Sequence, residues 1–157
     1  MKGNLLDILF IPIIFLVIVI GTVLGAYLYG NIKDSLMANE QINQTVEPYL
    51  NEGEKAMYNF DYVLLFVLLG LFATSFISAL FINTHPIFFF LSIFFLAISI
   101  FLISHLKTIY STFYNVTEFQ GVLYQFKITN WIMSNQILVY FALSLPIVVA
   151  LYMKITS

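Results

Sequence analysis

The side chains with the most chemistry to offer are two histidines, eight carboxylates and a scatter of hydroxyls. His85 and His105 stand twenty residues apart, about 30 Å along a helix, so they cannot share a metal ion within one chain. No carboxylates near them repeat the Glu-x-x-His spacing of bundle di-metal centres. A serine nucleophile needs a base and an oxyanion site. Thr74, Ser75, Ser78, Ser92, Ser99 and Ser104 lie in runs that supply neither. Glu52 and Glu54 flank Gly53 and offer oxygens to a divalent cation, but the spacing of an EF-hand loop is absent and a solvated acidic face is the simpler reading. Nucleotide-binding, α/β-hydrolase and zincin motifs are missing too. With no cysteine, disulfides, thiolate metal sites and cysteine nucleophiles are excluded. The expectation is a non-enzymatic protein without catalytic, cofactor-binding or metal residues and without a cofactor.

The elements that would have to position any site are apolar to an unusual degree. The 157 residues are 61% hydrophobic and 9% charged, and the mean hydropathy is +0.97, outside the range of water-soluble domains. A hydrocarbon core of about 30 Å takes roughly 20 helical residues. Four stretches meet that need, at 8–29, 62–82, 87–104 and 137–153, and none contains Asp, Glu, Lys, Arg or His. Lipid gives the backbone no hydrogen-bond partner, so such segments become helices. The expected fold is a single all-α, multi-pass integral membrane domain with four transmembrane helices. All six basic residues are lysine, which removes the guanidinium forks favoured for phosphate and base-edge contacts and makes nucleic acid an improbable partner.

Between the second and third spans lies Asn83-Thr84-His85-Pro86, short enough to predict a tight hairpin. Thr84 would cap the next helix, Pro86 would sit in its first turn and His85 would lie at the bend. Segment 30–61 is a polar loop carrying six carboxylates against Lys33 and Lys55. Ile32, Leu36 and Met37 have spacing that extends the first helix, until Pro48 and Gly53 break the pattern. Segment 108–133 interleaves Tyr110, Phe113, Tyr114, Phe119, Tyr124, Phe126 and Trp131 with polar groups, as interfacial anchors do. Within it Tyr124, Phe126 and Ile128 alternate with polar residues, a period consistent with a short strand. Two crossings separate these segments, so both fall on one membrane face, the aromatic one packing on the acidic one. Lysine counting places that face in the cytoplasm only by a narrow margin.

Inside the spans the readable signal is small residues at four-residue spacing: Gly21 and Gly25; Gly70, Thr74 and Ser78; Ala142, Pro146 and Ala150. Small side chains let helix backbones approach, within one bundle or between subunits. The third span instead carries Phe88, Phe89, Phe90, Phe94, Phe95 and Phe101, rings suited to lipid or a broad apolar partner. No intramembrane charge marks a proton relay or ion path. The function that fits is a structural or assembly subunit of a larger membrane complex or membrane-containing particle such as a virion, with lipid and other membrane subunits or copies of itself as partners. The rival is a small channel, holin-like pore or transporter subunit lined by the hydroxyls of the second span with Ser92 and Ser99.

Overall fold

A computed structural model describes residues 7–38, 40–81 and 87–156. They form six helices: α1 (Asp7–Met37), α2 (Glu40–Phe81), α3 (Ile87–Tyr114), α4 (Thr117–Leu123), α5 (Lys127–Ser134) and α6 (Gln136–Thr156). Among the described residues there is no strand. Four helices, α1, α2, α3 and α6, are long and apolar enough to cross a membrane.

Each long helix contributes one face to a common core. Ile11, Phe15, Val19, Val23 and Ala26 of α1 meet Leu64, Leu68, Phe72 and Ala79 of α2, with Ile103 and Tyr110 of α3 and Tyr140, Ile147 and Leu151 of α6 completing it. The three- and four-residue intervals place each set on one side of its helix. α1 packs on α2 and α3, while α6 packs on the same two helices. The four therefore form a ring in which α2 and α3, consecutive in sequence, stand at opposite corners. The tight hairpin expected between them falls on residues outside the described ones. Thr84, His85 and Pro86 themselves lie outside the described residues.

Two expectations change. The polar stretch 30–61 is not a loop: α1 runs on to Met37 and α2 starts at Glu40, so a helical hairpin extends beyond the apolar segments. Pro48 and Gly53 lie inside α2 without ending it. Pro48 costs one backbone hydrogen bond, and side-chain ties from α1 to α2, described below, offset it. Nor is 124–129 a strand, because α5 begins at Lys127 and the preceding residues turn.

Helix register reveals a stagger. Pro12 and Phe15 of α1 lie beside Leu68 and Phe72 of α2, a β-carbon on Gly25 would lie 3.7 Å from Met57 Cε, and Tyr29 lies against Gly53. Thus the apolar end of α1 faces the polar stretch of α2, below Tyr62 in sequence. On this level α4 packs on α1, and α5 on α2.

Candidate functional site

The most elaborate polar arrangement lies where α2, α3 and α5 meet. Phe126 precedes α5 and has no side chain able to cap it, so the first-turn amides need an acceptor from elsewhere. Asp61 of α2 supplies it. Its Oδ2 accepts from the Ile128 amide at 2.8 Å and its Oδ1 from the Thr129 amide at 2.7 Å. The carboxylate is 5% exposed, and the positive end of the helix dipole adds to the two charge-assisted bonds. Around it Tyr58 meets Phe126 edge-on at 6.0 Å, and the buried Tyr110 hydroxyl donates to Asn130 Oδ1 at 3.3 Å. This chemistry fixes a short helix in place.

The second polar cluster joins the hydrophilic ends of α1 and α2. The Tyr29 hydroxyl donates to the Leu50 carbonyl at 2.8 Å. Lys33 forms an ion pair with Glu54, whose other oxygen accepts from the Tyr58 hydroxyl at 3.1 Å. These charges lie outside the apolar stretch of α2. The Lys33 hydrogen bond holds the Glu54 carboxyl below its usual range, with partial burial opposing. Glu54 is thus committed to a protein partner, while Glu52 is exposed. Among the described residues no group of three His, Asp or Glu side chains converges to hold a metal ion.

The expected interfacial anchors divide. Tyr124 and Trp131 are exposed, at 67% and 59%. Tyr110 and Phe126 are buried in the core, and Phe113 and Tyr114 are half-buried. Phe113 stacks on Phe119 at 4.6 Å, which meets Tyr27 of α1 edge-on at 5.0 Å. Half of the aromatic set therefore holds α4 and α5 to the bundle. His105 is exposed, its ring 4.7 Å from that of Phe101.

Small residues divide as well. Ala150 is buried, Gly25 and Ser78 are half-buried, with Gly25 turned to Met57 of α2, whereas Gly21, Gly70, Thr74, Ala142 and Pro146 face out. A β-carbon added at Gly21 or Gly70 would meet nothing within 4 Å. Gly70 and Thr74 lie with Phe10, Ile14 and Val67 in a groove of about 360 Å³ between α1 and α2. Ser92 and Ser99 are fully buried. Each hydroxyl donates at 2.7 Å to a carbonyl of its own helix, Phe89 and Phe95 respectively. Thr74 does the same to Gly70 at 2.8 Å, but on the outer face.

Two groups escaped the sequence reading. Asp61 is one of the six carboxylates of 30–61, and the amides it caps lie 67 and 68 positions away, beyond any local capping signal. Gln136 and Tyr140, 5% and 3% exposed, have side-chain polar atoms without a protein partner. They line a cavity of about 20 Å³ with Pro12, Phe15 and Phe72. No protein-family model, curated protein or solved structure matches the chain.

Proposed function

We propose that the protein is a non-enzymatic assembly subunit, a four-span membrane unit that packs against a second copy or another membrane subunit. The observation that carries this reading is the outward groove at Gly70 and Thr74. In lipid, close backbone approach at small residues is a main source of helix association, and here Gly70 and Thr74 are exposed rather than packed within their own bundle. Because two crossings separate the α1–α2 extension from α4 and α5, both belong to one membrane face. Together they form an ordered cap, held through Asp61 and Phe119, that would accompany the intramembrane contact.

A hydroxyl-lined pore finds less support. Ser92 and Ser99 are enclosed within the subunit while Thr74 faces out, so the three cannot line one path in this arrangement.

The chain has no cysteine, which makes single-site crosslinking clean. Under oxidation in native membranes, Thr74→Cys should give a discrete disulfide-linked dimer, or with a bifunctional reagent one defined heterologous adduct. Gly70→Leu should abolish it while leaving the isolated subunit as stable as before. A T74C chain that stays monomeric in the membrane, together with a monodisperse wild-type monomer lacking companions in mild detergent, would refute the reading.

A further inference from the structure

From two adjoining clefts on the outer surface we infer that the protein holds an anionic glycerophospholipid between the end of α3 and the α5–α6 junction. One cleft, about 310 Å³, is lined by Lys107, Ser111 and Ser134 with Tyr110, Tyr114 and Asn130. Its neighbour, about 420 Å³, is lined by Lys107, Ser134 and Asn135 and continues onto Ile137, Leu138 and Phe141. Lys107 and Ser134 belong to both, so the two make one groove, each part within the size range of small-molecule sites. Its polar end presents an ammonium, hydroxyls and an amide. Its other end is purely apolar, and Ile137, Leu138 and Phe141 are 40%, 66% and 46% exposed.

That gradient follows the membrane normal. Lys107 comes just after the apolar stretch of α3, and Ile137 opens the apolar stretch of α6. Trp131, exposed on the α5 turn that borders the groove, is a residue type that favours headgroup depth. A phosphate at Lys107 would therefore sit at its natural level, with an acyl chain descending over Leu138 and Phe141. Charge selects the headgroup. Neither cleft is lined by a carboxylate, and among the described residues Lys107 has no ion-pair partner. The lysine is thus an uncompensated cation at the rim of a lipid-facing groove. This site is separate from the Gly70 groove and does not depend on the assembly reading.

Native mass spectrometry of the full chain, released from micelles doped with equal phosphatidylglycerol and phosphatidylcholine, tests it. Wild type should retain phosphatidylglycerol in preference. One lysine at a membrane surface contributes about 1 kcal/mol toward an anionic lipid, so Lys107→Gln should cut that preference about fivefold. Lys55→Gln, exposed on the hydrophilic extension of α2, should leave it unchanged. Leu138→Asn should reduce retention of both lipids. Equal retention of the two lipids by wild type would overturn the assignment. So would a K107Q chain of unchanged helicity that keeps the wild-type preference, or an equal loss in K55Q.

Discussion

Replacing Asp61 by alanine tests whether a carboxylate on one membrane helix holds another helix in place. The substitution removes two charge-assisted bonds, each worth about 1.5–3 kcal/mol, and leaves the buried Thr129 amide without an acceptor. Against this stands the relief of no longer burying an ion, which returns several kcal/mol of desolvation. The balance expected is a local loss of about 3 kcal/mol, within the range for breaking a buried charged contact. An opening equilibrium shifted by that amount changes about 150-fold. Hydrogen exchange resolved to single amides, in nanodiscs at neutral pH, should show Ile128 and Thr129 exchanging about two orders of magnitude faster, while amides in the α2–α6 contact near Phe72 and Tyr140 hold their rates. Asp61→Asn keeps one acceptor oxygen and should fall between. If D61A leaves both amides within threefold of wild type, Asp61 is not the cap of α5 and the reasoning fails.

Three further outcomes follow from the geometry. At Gly53 an added β-carbon would lie 2.7 Å from Tyr29 Cζ. Gly53→Ala should therefore lose the Tyr29–Leu50 bond, about 1 kcal/mol, along with ring displacement, and destabilise despite a helix-propensity gain of about 1 kcal/mol. In a Tyr29→Ala background the same change should stabilise, and thermal unfolding of the four chains in detergent reads the sign reversal. Glu54 has a folded-state pKa depressed by Lys33, so the unfolded form binds its proton more readily. The contact contributes in full above the unfolded carboxylate value, near 4.5, and is lost as pH falls through the lower folded value. Amide protection in 29–55, taken relative to intrinsic exchange at each pH, should fall over that acid window in wild type and stay flatter in Glu54→Gln. Gln136→Leu removes amide atoms that lack a protein partner and fills apolar surroundings, so it should raise the unfolding midpoint by the equivalent of about 1 kcal/mol. A lowered midpoint would mean that the amide has an essential partner.

The spans were legible because bilayer thickness sets a length that composition alone can meet, and Ile8 to Tyr29 or Ile137 to Met153 needed no other signal. Which way those helices face was not legible. A segment apolar all round carries no moment to tell Val19 in the core from Val17, 64% exposed. Gly70 and Gly25 illustrate this: the same small-residue spacing lies outside in one case and inside in the other. The extension at 30–61 was hidden by Pro48 and Gly53, whose helix-breaking tendency is overridden by contacts from Tyr29 and Lys33. The alternation Tyr124–Phe126–Ile128 pointed to a strand since nothing nearby announced a cap, and the acceptor that makes α5 a helix comes from α2. Among the aromatics, composition gave no means of separating the exposed Tyr124 and Trp131 from Tyr110 and Phe126, which the tertiary fold buries.

The offset between α1 and α2 has a consequence for the surrounding membrane. With the greasy end of α1 from Gly25 to Tyr29 beside the charged turns of α2, the water-avoiding girdle is uneven in height. It rises on the flank where Leu24 and Leu28 look outward, at 38% and 58% exposure, by about 12 Å over eight residues of helical rise. Were these helices set in a bilayer, a flat lipid annulus would not match both flanks, and the protein would have to lean or thicken its neighbours on one side. If copies do associate as proposed above, placing their tall flanks together would let them share that deformation.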